Sequence, residues 1–385
     1  MSKKVRLGII GLGIMGRVHA SNLLAGKVPR IELTAVAETN PENLAGLSGV
    51  RTFASFEEMA ASGLIDAVLI ATPHFQHTTL GIAALAAGLH VLVEKPVSVH
   101  KADAERLLAA HTRRDRVFAA VFNQRTDPFY LQLRRLVQGG ELGEVRRVNW
   151  TITNWFRTDH YYASGGWRAT WAGEGGGILL NQCPHNLDLL QWMFGMPRRV
   201  RAFCHFGRYH AIEVEDDVTA YLEFPNGATG VFIASTGEAP GTNRLEVAAE
   251  GGRAVLENDR LVLTRNQTPM SEFSRTAAAP YSQPATTESV LAPPDHGEQH
   301  IGILKNFADA ILDGAPLIAP AAEGIRSVEL ANAMLLSAWT DRTVELPLDA
   351  GIYAQALQAK IAGSKSKIPP TAVAAGGDLA ASIGR

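Results

Sequence analysis

Cysteine, unbalanced charge and long apolar runs are all scarce in this chain of 385 residues. Only Cys183 and Cys204 occur, without metal-type spacing, so we expect no bound metal and a reducing compartment. The 36 basic and 38 acidic residues leave a formal net charge of −2, which favours neither nucleic acid nor a membrane surface as a partner. No segment approaches the ~18 uninterrupted apolar residues of a membrane helix. We therefore expect a cytoplasmic protein.

The first third of the chain alternates short apolar runs with helical patterns. Runs at Val5–Ile10, Leu33–Ala37, Ala67–Ala71 and His90–Val93 lack polar alternation, which is typical of strands buried on both faces. The alanine-rich stretch Thr78–Ala87 has helical spacing. Such alternation predicts an α/β domain with a doubly wound parallel sheet.

After Gly143 the pattern changes to strands joined by short turns such as Pro225-Asn226-Gly227. Short connections favour antiparallel pairing, so we predict a C-terminal α+β domain with a large open, mostly antiparallel sheet. Residues Gln267–Gln299 are rich in Pro, Ser, Thr and Ala and predict a long surface loop. The predicted strands are Val145–Phe156, Arg199–Phe206, Val218–Phe224, Thr229–Ala234, Arg244–Ala249, Arg253–Glu257 and Leu261–Arg265.

A glycine-rich turn with the pattern G-x-G-x-x-G follows the first strand and precedes a helix. Its glycines permit a tight turn, the approach of a pyrophosphate and close helix–strand packing, while the helix N-terminus attracts phosphate. About 20 residues later, the carboxylate of Glu38 can accept both ribose hydroxyls and would repel a 2′-phosphate. The motif therefore predicts NAD rather than NADP. We assign to the cofactor Gly11, Gly13, Ile14, Met15, Gly16 and Glu38.

The tripeptide Glu94-Lys95-Pro96 ends the fourth apolar run. Ligands of open α/β sheets bind beyond the carboxyl ends of the strands, so we expect Lys95 near the nicotinamide. A cationic ring there would lower the proton affinity of the amine and suit it to proton exchange with an alcohol. A surface lysine paired with Glu94 explains the tripeptide equally well.

A second group of polar residues follows the glycine triplet 175–177. If a helix starts near the glycines, Asn181 and His185 lie on one face, with Asp188 three residues further. Such a face could bring an amide and an imidazole to one substrate carbon, although Pro184 could kink the helix. On periodicity alone, a buried histidine satisfied by its neighbours is the commoner explanation.

The segment from Asn154 to Trp171 is rich in aromatic and basic residues. Aromatic rings stack on the C–H faces of sugars, and arginines bind hydroxyls or anions, so a carboxylated or sulfonated sugar is one hypothesis. The tryptophans could equally cover the sheet or form a subunit contact. His74 and His77 could border the cofactor, but we expect them to be solvated. We assign to the substrate Arg157, Tyr161, Trp167, Arg168 and Asn181.

Taken in order, these motifs resemble the Gfo/Idh/MocA family, named for glucose–fructose oxidoreductase, inositol dehydrogenase and a rhizopine catabolism protein. The likeness runs from about Val5 to about Asp349 and includes Thr72-Pro73, Asn123-Gln124-Arg125 and the closing residues 344–347. It implies a Rossmann domain, an open-sheet domain, a nicotinamide cofactor and sugar or cyclitol substrates. It also implies that Lys95 and His185 are catalytic, in proton transfer. The resemblance adds to the cofactor site Thr72, Pro73, Glu94, Lys95 and Gln124.

One position departs from the family pattern, because Asn181 stands where many family dehydrogenases carry an aspartate. An amide binds a hydroxyl but cannot take its proton. The acid–base work must therefore fall to Lys95 and His185, or Asp188 must help through the imidazole.

The sequence thus predicts an NAD-dependent oxidoreductase that acts on a secondary hydroxyl of a sugar, glycoside or cyclitol. A glycosidase that oxidises its sugar transiently, and a sensor that binds NAD and a metabolite without turnover, remain alternatives. We expect a homodimer or homotetramer. The predicted divisions are a Rossmann domain at 1–125, a substrate-binding and oligomerisation domain at 126–363 and a mobile tail at 364–385.

Overall fold

The computed structural model describes residues 3–365 and divides the chain into two compact units. Unit 1 comprises 1–127 and 297–329, and unit 2 comprises 128–296 and 330–385. Most of the tail that we predicted to be mobile, from residue 366 onward, lies outside the described residues. None of the helices within residues 3–365 is long and apolar enough to cross a membrane.

Unit 1 contains a parallel sheet of six strands in the order β3-β2-β1-β4-β5-β6. Strands β4 and β5 are buried along their whole length, as their unbroken apolar runs predict. The doubly wound fold predicted from the sequence is confirmed. The strands are β1 (Val5–Ile10), β2 (Ile31–Ala37), β3 (Arg51–Phe53), β4 (Ala67–Ile70), β5 (His90–Val93) and β6 (Phe118–Ala120). The first four α-helices are α1 (Ile14–Leu24), α2 (Phe56–Ala61), α3 (His74–Ala86) and α4 (Lys101–Ala109).

Unit 2 is built on a sheet of nine strands in the order β14-β13-β12-β11-β7-β10-β9-β8-β15. Its pairings are antiparallel except between β7 and β10, which confirms the predicted open, mostly antiparallel sheet. The strands are β7 (Val145–Ile152), β8 (Arg199–Phe206), β9 (Glu215–Glu223), β10 (Thr229–Ser235), β11 (Asn243–Ala249), β12 (Gly252–Glu257), β13 (Arg260–Asn266), β14 (Thr286–Leu291) and β15 (Val344–Glu345). Its helices before residue 297 are α5 (Pro128–Gln138), α6 (Asp159–Ala163), α7 (Pro184–Phe194) and α8 (Met270–Thr276).

The prediction of one long loop over Gln267–Gln299 is wrong. This stretch contains α8 and β14, and β14 pairs with β13 at the edge of the sheet. Five of the six residues of β14 are exposed, so the strand carries no apolar alternation that a sequence pattern could detect. Its main-chain hydrogen bonds to β13, not buried side chains, define it.

The last three helices are α9 (Gln299–Asp313), α10 (Ala321–Thr340) and α11 (Ala350–Ala362). The segment 297–329, which the sequence analysis placed in a continuous second domain, groups with unit 1. The reason is its apolar face, because Ile303, Leu304 and Phe307 of α9 belong to the buried core around β1 and β4.

Candidate active site

The glycine-rich turn of unit 1 has the shape that a dinucleotide requires. Gly11 has φ +85°, and a Cβ built there would lie 2.9 Å from the carbonyl oxygen of Ala71. A Cβ on Gly16 would lie 2.0 Å from the oxygen of Gly11, so only glycine lets α1 pack this closely. A Cβ on Gly13 would meet nothing within 4 Å. Protein atoms therefore fill the space beside Gly11 and Gly16, whereas the space beside Gly13 is open. Gly13 directly precedes Ile14 and Met15 at the start of α1.

The carboxylate of Glu38 lies against this turn. Its Oε2 accepts a hydrogen bond from the Leu12 N–H at 2.6 Å, and its Oε1 accepts one from the Asn40 N–H at 2.8 Å. The nearby Arg17 guanidinium donates to the Leu12 oxygen at 3.1 Å and to Asn43 at 2.8 Å, a contact that sequence reasoning missed. Strand β2 thus places a negative charge next to the glycine turn, where the NAD prediction requires it.

Two further predicted cofactor residues carry buried oxygen atoms that form no hydrogen bond within the described residues. The Oγ1 of Thr72 and the Oε1 of Gln124 are buried atoms without a hydrogen-bond partner among the described residues. Buried polar atoms are rarely left unsatisfied, so both atoms fit a role in binding a polar ligand. Pro73 follows Thr72 and is the N-cap of α3.

Glu94 is buried at the carboxyl end of β5 and supports the main chain of Lys95. Its Oε1 lies 2.7 Å from Nε2 of His19, and its Oε2 accepts the Lys95 N–H at 3.2 Å. Burial alone would raise the pKa of Glu94, but the hydrogen bond from His19 and the nearby His19, His300 and Lys95 charges lower it to about 2. Glu94 is therefore ionised and anchored from two sides, next to a half-buried Lys95.

Both histidines of α3 are buried, contrary to our expectation that they are solvated. His74 is 6% and His77 1% exposed. Nδ1 of His77 lies 2.7 Å from the Pro96 oxygen, and Nε2 lies 2.8 Å from the Thr72 oxygen. His77 thus joins the Thr72-Pro73 turn to the turn after Lys95, and burial lowers its pKa. The sequence analysis did not predict this link, because both partners of His77 are main-chain carbonyl groups, and a sequence does not show which of these a side chain will contact.

In unit 2, the helix that carries His185 begins later than the glycine triplet suggests. Helix α7 starts at Pro184, where a proline needs no N–H partner, so Pro184 begins the helix and does not kink it. Asn181 lies in the preceding turn, where its N–H donates to the Gly177 oxygen at 2.9 Å. The prediction that Asn181 and His185 share one helix face is therefore wrong. Asp188 is fully buried and accepts a hydrogen bond from Gln191 at 3.1 Å.

Glu215, which the sequence analysis missed, holds the turn between the glycine triplet and α7. Its Oε1 accepts the N–H groups of Gly177 at 2.9 Å and Leu179 at 3.0 Å. Burial raises the pKa of Glu215 to about 7, although these two N–H groups oppose the rise. A Cβ on Gly177 would lie 2.0 Å from the main-chain carbonyl oxygen of Glu215. This close approach of the two main chains therefore requires the third glycine of the triplet.

The predicted substrate residues of unit 2 cluster around the phenol of Tyr161. Its oxygen accepts hydrogen bonds from Arg168 at 2.9 Å and from Gln182 at 3.2 Å, and it lies 3.5 Å from Oδ1 of Asn181. The Arg157 guanidinium lies over the same ring, with its carbon 5.1 Å from the ring centroid, and the Arg168 guanidinium lies over the Trp167 ring at 4.8 Å.

The buried Glu174 determines how the Asn181 amide is oriented. Its carboxylate accepts a hydrogen bond from Nδ2 of Asn181, so Oδ1 is the end directed at Tyr161. Asn181 therefore presents an acceptor there. Sequence reasoning missed Glu174, which precedes the glycine triplet in the chain.

Unit 1 and unit 2 match two parts of one class of proteins, the NAD-binding oxidoreductases. A family model described as an oxidoreductase family with an NAD-binding Rossmann fold matches residues 5–122. A model of the GFO/IDH/MocA C-terminal domain matches residues 130–255. The chain belongs to the Gfo/Idh/MocA family, and unit 1 contains its NAD-binding Rossmann domain.

The relatives include sugar and cyclitol dehydrogenases. An inositol 2-dehydrogenase of Rhizobium meliloti is 28% identical over 355 residues, 89% of this chain and 99% of that protein. The WlbA dehydrogenase of Chromobacterium violaceum, solved with NADH and UDP-GlcNAcA, is 28% identical with a TM-score of 0.78, over 91% of this chain and 98% of that one. An inositol 2-dehydrogenase of Corynebacterium glutamicum is 28% identical over 51% of this chain, and the match spans 56% of that relative's length.

Proposed function

We propose that this protein is an NAD-dependent dehydrogenase that oxidises a secondary hydroxyl group of a sugar, glycoside or cyclitol. The observation that carries the proposal is the anchored tripeptide at the end of β5, where a buried, ionised Glu94 binds the main chain of Lys95. Relatives named inositol 2-dehydrogenase and a WlbA dehydrogenase that holds NADH and UDP-GlcNAcA support the substrate class.

The cofactor site is assigned to unit 1. The N–H groups at the start of α1, beside the open space at Gly13, would hold the pyrophosphate, and Glu38 would accept the ribose hydroxyls. Thr72 and Gln124 offer buried acceptors to the rest of the ligand. When bound, NAD supplies the hydride acceptor.

The acid–base roles fall to Lys95 and His185. Lys95 in its neutral form takes the proton of the substrate hydroxyl while the neighbouring C–H bond breaks, and His185 assists this proton transfer. Asn181, oriented by Glu174, binds an adjacent substrate hydroxyl through Oδ1. Because an amide cannot accept that proton, Asn181 positions the substrate and leaves the chemistry to the amine and the imidazole.

The test is a panel of myo-inositol, hexoses, uronates and aryl glycosides, incubated with the protein and NAD while NADH absorbance is followed. Net NADH formation by the wild type, together with its loss in Lys95→Ala at unchanged NADH affinity, is the expected result. Release of aglycone without net NADH would replace the proposal with redox-assisted glycoside cleavage. Binding of NADH and sugar without any turnover would replace it with a sensor.

A further inference from the structure

Arg168 in unit 2 is bound by two aromatic side chains and, among residues 3–365, by no carboxylate. Arg168 is half-buried, and its guanidinium carbon lies 4.8 Å from the ring centroids of both Tyr161 and Trp167. Its Nη1 donates to the Tyr161 oxygen at 2.9 Å. Within residues 3–365, it forms no ion pair with an aspartate or glutamate. The cation is thus held by the rings of Tyr161 and Trp167 and by the hydroxyl oxygen of Tyr161.

The acidic residue of this cluster is already engaged elsewhere. Glu174 is 2% exposed, and its two oxygens accept hydrogen bonds from the Asn181 amide and from the Ala169 N–H. A second cation, the Arg157 guanidinium, stacks on the Tyr161 ring at 5.1 Å. Two guanidinium groups therefore lie over one ring, while the Glu174 carboxylate binds the amide and the main chain.

Stacking of this kind prepares an arginine for a planar anion. A guanidinium held over aromatic rings loses little rotamer freedom on binding, and its planar fork of donors matches a carboxylate with two parallel hydrogen bonds. The cation also lies beside the amide expected to hold a substrate hydroxyl, because Arg168 and Asn181 lie within 3.5 Å of the same phenol oxygen. One sugar ring with a carboxylate substituent can contact both groups.

We infer that Arg168 is the specificity-determining residue of a carboxylate subsite and that the substrate is an acidic sugar of the uronate type. This inference rests on the proposed function and narrows its substrate class. Tyr161 and Trp167 orient the guanidinium, and Arg157 adds positive potential beside it. The subsite selects the substrate and takes no part in proton transfer.

The test is calorimetric titration of the NADH-loaded protein with two matched pairs, D-glucuronate against D-glucose and D-galacturonate against D-galactose. In the wild type, we expect the uronate of at least one pair to bind at least tenfold more tightly than its neutral partner. Arg168→Gln should abolish this preference. Arg168→Lys should retain part of it, because lysine keeps the charge but not the planar fork. Arg114→Gln, which removes the charge of an exposed arginine in unit 1, should leave it intact.

Equal or weaker binding of both uronates in the wild type would overturn the inference, as would an unchanged preference in Arg168→Gln. NADH formation from neutral sugars without a preference for uronates would reject the subsite and keep the proposed dehydrogenase. An Arg168-dependent preference for uronates without NADH formation from any sugar would keep the subsite and reject the dehydrogenase.

Discussion

Replacing His19 with phenylalanine should destabilise unit 1 by an amount that depends on pH. His19 is fully buried, and its Nε2 binds the Glu94 carboxylate at 2.7 Å. The pKa of Glu94 falls from 4.5 to about 2 in the folded protein. At 1.36 kcal/mol per unit, this shift corresponds to about 3 kcal/mol of folding free energy, which burial of Glu94 opposes and to which the His19 hydrogen bond contributes most. Because the folded pKa lies below the unfolded one, the stabilisation is full above pH 4.5 and is lost as the pH falls through 2.

The assay is amide hydrogen exchange of peptides from β1 and β4, since all six tryptophans lie in unit 2 and cannot report on unit 1. At pH 7, exchange that requires unfolding of unit 1 should be faster in His19→Phe than in the wild type at the same pH, by up to roughly 100-fold. The matched variant His19→Gln keeps a donor for Glu94 and should recover part of the protection. Equal exchange of wild type and His19→Phe at pH 7, or a difference that does not shrink as the pH is lowered from 4.5 to 2, would refute the reasoning.

Three further predictions test separate parts of the structure. Gly13→Ala should fold normally but bind NADH at least ~10-fold more weakly, because its methyl group meets no protein atom within 4 Å and projects into the phosphate space; unchanged affinity in a titration would contradict the cofactor site. Glu38→Ser should raise the ratio of NADP to NAD binding by ~10-fold or more, as it removes a charge that repels a 2′-phosphate; an unchanged ratio would rule out the assigned role. The folded pKa of Glu215, about 7, lies above its usual 4.5, so its ionisation destabilises unit 2 as the pH rises from 4.5 through 7. In Glu215→Gln, tryptophan-monitored urea unfolding should lose this fall in stability of about 3 kcal/mol, and an identical pH profile of wild type and variant would reject it.

The parts of the fold predicted correctly are those in which local pattern and burial coincide. Strands β4 and β5 are buried from end to end, so their apolar runs predicted both their positions and their membership of a parallel sheet. The strands missed were β3 and β15, which are short and partly or fully exposed, and β14, which is almost wholly exposed. Edge strands are defined by main-chain pairing, which leaves no periodic signal in the side chains.

The candidate site also contains residues that the sequence predicted and residues that it did not. The glycine turn and Glu38 follow a local pattern and were found together. The residues that hold the site were missed: His19 is 75 positions from Glu94, and Glu215 is 38 from Gly177. Each such contact joins two segments that are distant in the sequence, and a single chain without its fold gives no sign that they meet.

By itself, the sequence determined the alternation of strands and helices, the glycine turn and the identity of the chemical groups, because backbone propensity and burial depend on neighbouring residues. Only the tertiary structure decided that α7 starts at Pro184, that α9 packs into unit 1 and that Glu174 orients the amide of Asn181. Those outcomes depend on contacts between distant segments, which form only when the chain has buried its apolar surface and satisfied the polar groups enclosed with it.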